Sequence, residues 1–171
     1  MLGKDYANQD CTLARSLEVV GERWTLLILR DAFYGVQRFS DFAAHLDIPR
    51  AVLSDRLRGL VDDGLLCRRP DSDHPRREIY ALTGTGRALW PALHALMRWG
   101  DHFESRPART FVHAACDARL DERGICPACG ATPDPEDVTA VAGQDPTRTD
   151  RISAALYPRK RLLEPLVAQP G

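Results

Sequence analysis

Two short helical segments separated by only three residues constrain the fold of this chain more than any other feature. The first segment contains Phe42 and Leu46 at helical spacing. The second carries Leu53 and Leu57 one turn apart on one face. Residues 47–49, Asp-Ile-Pro, interrupt the pattern, because proline fits the first turn of a helix but not its interior. Two helices with so short a connection predict a helix-turn-helix.

Two more helices are predicted before this motif. Thr12 can cap the first of them, which is interrupted at Gly21. The second runs from Glu22 to about Phe33, and the acidic residue in its first turn suits the helix dipole. Ser40 is expected to cap the first helix of the motif. These segments indicate that the motif belongs to a larger helical domain.

A β-hairpin and a long helix are predicted after the motif. Residues 65–69 and 78–82 are short, largely apolar segments on either side of a polar turn that contains proline and aspartate. Residues 85–103 carry apolar side chains at helical spacing, and Pro91 is expected to bend this helix or to loosen its first turns. The sequence therefore predicts a mainly α domain with a small β-hairpin wing (α+β), a winged helix-turn-helix, over residues 11–105.

The outer face of the second helix of the motif has side chains that suit contact with DNA. Small residues let a helix approach the major groove, and a guanidinium can pair with guanine through two hydrogen bonds. The candidate contacts on this helix are Arg50, Ala51, Ser54, Asp55 and Arg58. The alternative is that this is only the solvated face of an amphipathic helix.

Four arginines gather around the turn of the predicted hairpin. They are Arg68, Arg69, Arg76 and Arg77. Such a tip can hold the phosphate backbone of DNA or enter the minor groove. A cluster of charges in a loop is often only solvated, but its position directly after a helix-turn-helix favours DNA contact. Arg69, Arg76 and Arg77 are the candidate contacts of the wing.

Several segments of the chain resemble, in order and spacing, the signatures of HxlR-type transcriptional regulators. They are residues 21–30, 38–42, 52–57, 63–66 and 80–83. The resemblance covers the chain from residue 11 to about residue 103, and it implies a bacterial homodimer that binds double-stranded DNA at a palindromic operator. It also implies dimer contacts from the first and last helices of the domain. At Pro49 the chain departs from the family, which commonly has a serine there that can cap the helix.

The charge balance limits how the chain can bind DNA. Its 171 residues include 23 basic and 24 acidic side chains, and the resulting net charge of −1 argues against strong non-specific binding. It leaves room for well-placed contacts, such as the arginines of the hairpin. No apolar run approaches the ~20 residues of a membrane span, so a cytoplasmic protein without membrane contact is expected. No motif of a nucleotide-binding or hydrolytic enzyme occurs, so no enzyme activity is expected.

Four residues in two close pairs predict a zinc-knuckle-like C-terminal extension over residues 111–130. They are His113 with Cys116, and Cys126 with Cys129. In a reducing cytoplasm such residues are better explained as ligands than as a disulfide framework, and this set suits zinc in a structural role. A disulfide, free thiols or a thioredoxin-like redox site are the alternatives. The last is disfavoured because the glycine and prolines that follow Cys129 cannot continue a helix.

The remaining two cysteines differ in their expected roles. Cys11 precedes the first predicted helix, whose positive end can lower the pKa of a thiol and make it reactive. Its position resembles that of the cysteine with which several HxlR-type regulators sense oxidants, aldehydes or quinones. Cys11 is therefore a candidate sensor for an oxidant or small-molecule effector, and a small residue buried at a dimer interface is the alternative. Cys67, within the wing, is interpreted as core filler.

Residues 131–171 predict an acidic, proline-rich linker followed by a C-terminal arm. A short helix within residues 151–167 can pack on the core or on a partner subunit. Taken together, the sequence favours a sequence-specific DNA-binding regulator that is switched by a thiol or a small molecule. The alternatives are a zinc-stabilised protein-interaction module without specific DNA binding, and a thiol oxidoreductase that acts through Cys126 and Cys129.

Overall fold

The computed structural model describes residues 6–104, 109–143 and 150–166. The predicted tail residues 144–149 and 167–171, and residue 105 at the predicted end of the first domain, lie outside these ranges. The part that we call the winged unit consists of α1 (Thr12–Val20), α2 (Thr25–Phe33), α3 (Phe39–Leu46), α4 (Arg50–Asp62), β1 (Leu66–Pro70), β2 (Glu78–Leu82), α5 (Gly84–Arg87), α6 (Trp90–Gly100) and a 3₁₀ turn (Asp101–Phe103). The part that we call the C-terminal unit consists of β3 (Arg109–His113), a 3₁₀ turn (Pro135–Asp137), β4 (Val138–Ala142), α7 (Arg151–Leu156) and β5 (Lys160–Arg161). None of the helices in the described ranges is long and apolar enough to cross a membrane.

The predicted helix-turn-helix is formed by α3 and α4. Asp47 ends α3 with a left-handed backbone conformation (φ 51°), and the next residue, Ile48, is buried. α4 begins directly after Pro49, which supplies no side-chain cap. Leu53 and Leu57 are fully buried, so the apolar face of α4 is fixed in the core and the opposite face is left in solvent.

The predicted hairpin is present as an antiparallel pair of strands. The register of β1 and β2 pairs Leu66 with Leu82 at the base and Pro70 with Glu78 at the far end. Both leucines are buried, whereas the far end of the hairpin is exposed. The hairpin is therefore anchored in the core at one end and projects into solvent at the other.

The long helix predicted over residues 85–103 is divided in the structure. Thr83 caps α5 by accepting a hydrogen bond at its Oγ1 from the amide of Gly86 (3.1 Å). α6 then begins at Trp90, with Pro91 in its first turn. Because proline lacks an amide hydrogen and crowds the preceding turn, the helix is interrupted at residues 88–89. Of the two predicted effects of Pro91, the structure shows the loosening of the first turns.

Three predicted helix starts are wrong. The N-cap position of α1 is occupied by Cys11 and not by Thr12. α2 begins at Thr25 rather than at Glu22, and Ser40 lies inside α3 rather than at its start. A cap contributes only about 1 kcal/mol, so burial of the apolar faces decides where these helices begin.

The C-terminal unit is built on a three-stranded antiparallel sheet with β4 in its centre. Val138 of β4 pairs with His113 of β3, and Ala140 pairs with Lys160 of β5. The prediction of an irregular linker is therefore wrong over residues 138–142. Acidic residues and prolines lie on either side of this short strand, which forms hydrogen bonds with both β3 and β5. A local sequence pattern does not reveal such pairing.

The two units share one hydrophobic core. Phe111 of β3 is 1% exposed, and its ring centroid lies 5.1 Å from that of Trp90 in α6. The ring centroids of His94 and Tyr34 lie 5.4 Å and 6.5 Å from that of Phe111. Ile152 of α7 is fully buried in the same cluster of side chains. The sheet and α7 therefore pack on the winged unit rather than extending away from it.

The last described segment docks on the turn between α2 and α3. The amide of Leu163 donates to the carbonyl of Phe33, and the amide of Leu166 donates to that of Gly35, both at 2.8 Å. Gly35 has a φ of 86°, and a side chain there would collide with the carbonyl oxygen of Glu164. Glycine is thus required at the point where the arm crosses the winged unit.

Candidate DNA-binding surface and metal centre

The outer face of α4 presents the predicted contact residues to solvent. Ser54 is half-buried, and the four exposed residues are Arg50, Ala51, Asp55 and Arg58. Arg58 Nη1 lies 3.2 Å from Asp55 Oδ1, and both side chains are at least 60% exposed. An exposed ion pair of this kind contributes about 1 kcal/mol or less, so Arg58 can exchange its partner for a DNA group with little loss.

Two contacts fix α4 relative to its neighbours. The guanidinium of Arg56 lies 3.3 Å from the carboxylate of Glu22, in the turn before α2. The guanidinium of Arg50 lies over the ring of Phe39, the first residue of α3, at 5.1 Å from its centroid. These contacts reinforce the buried leucines in setting the direction of α4.

The predicted arginines of the wing are all exposed, and α4 packs directly against β1. Arg68 is held within the hairpin, since it lies 3.8 Å from Glu78 and its guanidinium is 5.9 Å from the ring centroid of Tyr80. Three more guanidinium groups belong to the far end of the wing, those of Arg69, Arg76 and Arg77. These guanidinium groups give this end of the wing a positive charge.

Arg38 joins the wing to the helix-turn-helix, a contact that the sequence does not predict. Its Nε donates to Asp71 (2.8 Å) and its Nη2 donates to Asp73 (3.2 Å), two acidic residues of the wing turn. The hydrogen bond from Arg38 lowers the pKa of Asp71, although burial opposes it. The amide of Tyr80 also donates to the carbonyl of Gln37 (2.9 Å). The wing is therefore held at both its turn and its second strand by the residues before α3.

The four predicted ligands lie together in the C-terminal unit. They are His113, Cys116, Cys126 and Cys129, and their donor atoms are all within 4.8 Å of one another. His113 is the last residue of β3, and the amide of Cys116 donates to its carbonyl in the turn that follows (3.3 Å). Cys129 Sγ lies 3.3 Å from His113 Nδ1. The two close pairs in the sequence thus form two turns that face one point.

Backbone amides surround the sulfur of Cys126. The turn is closed by Gly130, which has a φ of 72° and donates its amide to the carbonyl of Cys126 (2.8 Å). Burial opposes ionisation of this thiol, but hydrogen bonds from the amides of Cys129 and Ala128 outweigh burial and lower its pKa to about 6. The hydrogen bond with Cys129, together with burial, raises the pKa of Cys116 to about 11. The surroundings therefore favour the thiolate at Cys126 and the thiol at Cys116, and a metal ion that binds both sulfurs displaces the proton of the second.

This cluster can bind a metal ion. Three sulfurs and one imidazole nitrogen are soft and borderline donors, which favour transition metals and disfavour magnesium or calcium. All four positions of a tetrahedron would be filled by the protein, so no position remains for a substrate.

The other two cysteines belong to other elements. Cys11 is exposed immediately before α1. Cys67 is half-buried in β1, where its backbone pairs with Ala81.

Large apolar side chains are exposed on α1 and at the end of α6. They are Leu13, Leu17, Leu96, Trp99 and Phe103. Trp99 and Phe103 are 60% and 71% exposed, and their ring centroids are 4.9 Å apart.

Comparison with known proteins agrees with this architecture. The HxlR-like helix-turn-helix family matches residues 19–107. The HTH-type transcriptional regulator Rv3095 of Mycobacterium tuberculosis is 48% identical over 132 residues, which cover 75% of this chain and 80% of Rv3095. The structure of the candidate transcription factor PA1607 is 38% identical and covers 58% of this chain and 69% of that chain, with a TM-score of 0.54. The redox regulator HypR in its reduced form is 26% identical and covers 56% of this chain and 95% of that chain, with a TM-score of 0.50. The chain therefore belongs to the HxlR-like helix-turn-helix family of transcriptional regulators.

Proposed function

We propose that the protein is a sequence-specific DNA-binding regulator that acts as a homodimer on a palindromic operator. The observation that carries this proposal is the pairing of an exposed α4 face with an arginine-rich wing whose first strand packs against α4. α4 enters the major groove, and the wing holds the adjacent backbone or minor groove. Binding at this surface involves no catalysis, and it takes place in the cytoplasm.

Base contacts are assigned to α4. Arg58 pairs with guanine through two hydrogen bonds, and Ser54 and Asp55 bind neighbouring base or phosphate groups. The small side chain of Ala51 allows the helix to approach the base edges, and Arg50 binds a phosphate near the start of the helix. The exposure of four of these five residues, and the weak intrahelical pair of Arg58, support the assignment.

Arg69, Arg76 and Arg77 are assigned to the phosphate backbone or the minor groove. The support is their exposure at the end of a hairpin whose acidic residues Asp71 and Asp73 are already paired with Arg38. The positive charge of the tip is therefore available to DNA.

The homodimer is assigned to α1 and the end of α6. Trp99 and Phe103 form an exposed aromatic pair, 60% and 71% exposed with ring centroids 4.9 Å apart, and Leu13 of α1 is 63% exposed. Contiguous exposed apolar side chains mark protein–protein interaction sites. A second copy buries these side chains and sets the two α4 helices about one DNA turn, ~34 Å, apart.

A structural zinc ion is assigned to His113, Cys116, Cys126 and Cys129. The donor set and the close approach of the four donor atoms support zinc over harder cations. The ion links the end of β3 to the turn after Cys126. It thereby joins the two ends of the segment 117–125, which separates the two pairs of ligands.

Cys11 is assigned as the thiol through which an oxidant or electrophile acts. Its exposure immediately before α1 supports this role, because an adduct at its sulfur would lie beside the proposed dimer helices. The related structure of HypR is that of a redox regulator. We expect the response of DNA binding to oxidant to be lost in Cys11→Ser, and a fully responsive variant would assign sensing to another group.

DNA binding is tested by fluorescence anisotropy with labelled DNA from the region upstream of the protein's own gene. A scrambled sequence of equal length serves as the control, at fixed salt concentration. Light scattering gives the oligomeric state and atomic absorption gives the zinc content of the same sample. Equal affinity for both DNAs would contradict the regulator, and in a sample with one zinc per chain it would favour a zinc-stabilised interaction module.

A further inference from the structure

The four ligands of the metal centre differ in their access to solvent. Cys126 is fully buried and His113 is half-buried, whereas Cys116 and Cys129 are both exposed. Small oxidants in solution can therefore approach Cys116 and Cys129, whereas Cys126 is shielded. The same two sulfurs come from different turns, and all donor atoms lie within 4.8 Å of one another.

The centre also holds together parts of the C-terminal unit that are far apart in sequence. The turn after His113 contacts the 3₁₀ turn that precedes β4, because the amide of Ala114 donates to the carbonyl of Asp137 (2.7 Å). It is tied to the arm as well, since Asp117 pairs with Arg159. Each of these contacts depends on the position of the turn that contains Cys116.

We propose that this centre is a thiol oxidation site, in which a peroxide joins Cys116 to Cys129 and releases the metal. The proposal depends on the zinc site assigned above. It makes the metal centre a second, reversible point of oxidant action, separate from Cys11.

The chemistry balances with one peroxide for each disulfide. The thiolate of Cys129 attacks one oxygen of hydrogen peroxide, an S–O bond forms, the O–O bond breaks, and hydroxide leaves. The thiolate of Cys116 then attacks the sulfenic sulfur, an S–S bond forms, and a second hydroxide leaves. Two sulfurs lose one electron each, and the peroxide gains two. His113 and Cys126 alone cannot hold zinc tightly, so the ion dissociates.

The test begins with full-length protein that is shown to contain one zinc per chain. Equimolar hydrogen peroxide is added, and released zinc is followed with the indicator 4-(2-pyridylazo)resorcinol. We expect one zinc to be released per disulfide formed. Dithiothreitol and added zinc should restore the starting state.

Trypsin identifies the bond, because Arg119 and Arg123 separate Cys116 from the other two cysteines. We expect the peptide with Cys116 to be linked to the peptide with Cys126 and Cys129, and fragmentation of the linked pair to place the bond at Cys129. A bond between Cys126 and Cys129 would leave the two peptides separate and would overturn the proposal.

Cys116→His retains four zinc donors but removes one of the two oxidisable exposed thiols. We expect this variant to bind zinc and to release it at least tenfold more slowly under peroxide. Cys67→Ser, which changes a cysteine of the wing, should release zinc at the rate of the unmodified protein. Equal rates in the unmodified protein and Cys116→His would overturn the proposal.

Failure of the two proposals can be told apart. Purified protein without zinc contradicts the zinc site itself. Protein that contains zinc but retains it under peroxide contradicts only the oxidation site. Release without a disulfide, through sulfinic or sulfonic acids, contradicts it as well, since that damage is not reversed by dithiothreitol.

Discussion

The winged unit and the C-terminal unit obtain a buried core in different ways. In the winged unit, side chains such as Ile28, Leu53 and Leu57 repeat at helical spacing and are fully buried among themselves. The C-terminal unit has two five-residue strands and one two-residue strand. Its central side chain, Phe111, packs on the ring of Trp90 in α6 and on that of Tyr34, which directly follows α2. So small a sheet does not bury enough apolar surface to be stable alone. The C-terminal unit therefore depends on its contacts with the winged unit.

The largest expected effect comes from removing the buried metal ligand. Cys126→Ser should abolish zinc binding and lower the free energy of unfolding of the C-terminal unit by more than ~4 kcal/mol, because metal loss is among the few single changes with so large an effect. Hydrogen exchange should rise in β3 and β4 but not in α4. Cys67→Ser is the control, with an expected loss below ~1 kcal/mol. Fast exchange in α4 of Cys126→Ser would show that the winged unit also depends on the metal.

The packing between the winged unit and the C-terminal unit is tested by Phe111→Ala. Removing a fully buried aromatic side chain should lower the free energy of unfolding by about 3 to 5 kcal/mol, as measured by urea denaturation. Phe111→Leu fills most of the space and should lower it by only about 1 kcal/mol. Similar losses in the two variants would mean that the ring contacts with Trp90 and Tyr34, rather than the volume of the side chain, determine the contribution of Phe111.

Base contact is tested by Arg58→Ala. This variant should lower the affinity for the specific operator by about 1 to 3 kcal/mol and relax the sequence preference, because a two-pronged pair with guanine is lost. The free energy of unfolding should stay within about 0.5 kcal/mol, since the side chain is 60% exposed. Unchanged discrimination between operator and scrambled DNA would remove α4 from the proposed interface.

Backbone contact by the wing is tested by Arg77→Ala. All DNA sequences should be bound more weakly by a similar factor, and the slope of log K against log salt should decrease in magnitude by about 1. A change in sequence preference instead would assign Arg77 to a base. Arg15, an exposed arginine of α1 paired with Glu18, provides the control variant Arg15→Ala, which should leave the slope unchanged.

The smallest expected effect is the pH dependence of stability that arises from His94, which packs against Phe111. His94 is 1% exposed, and its pKa is lowered by burial and by the nearby charge of Arg98, which outweigh Asp121 and Asp101. Since its folded pKa lies below the unfolded value of 6.5, the unfolded state binds more protons in acid. Stability should therefore fall as the pH drops below about 6.5. His94→Leu should show a smaller fall in Tm between pH 7.5 and pH 5, and an identical fall would assign the effect to other groups.

The sequence predicts the winged unit well because its determinants are local. The spacing of Leu53 and Leu57 predicts α4, and the arginines around a turn predict the wing. Helix starts are less predictable, as Thr12 and Ser40 illustrate, because a cap contributes less free energy than burial of a helix face. The interruption before Trp90 follows from Pro91, which is predicted to bend the helix or to loosen its first turns.

In the C-terminal unit, the sequence predicts the structure only where residues that lie close together along the chain form a motif. The two close pairs of ligands predict the cluster because each pair forms its own turn. β4 and the contacts of Phe111 and Arg38 are not predictable in this way, since each joins residues tens of positions apart. Local composition around β4 even indicates the wrong structure, because acidic residues and prolines surround a strand that depends on its neighbours.

The ion pairs of Arg38 with Asp71 and Asp73 affect the proposed recognition of an operator. Because the wing is fastened to the residues before α3, the separation between the proposed base contacts and backbone contacts is a property of the protein before it meets DNA. Little conformational freedom of the wing remains to be lost on binding, so less of the interaction energy is spent on ordering it. Operators should accordingly differ in base sequence more readily than in the distance between their two groups of contacts.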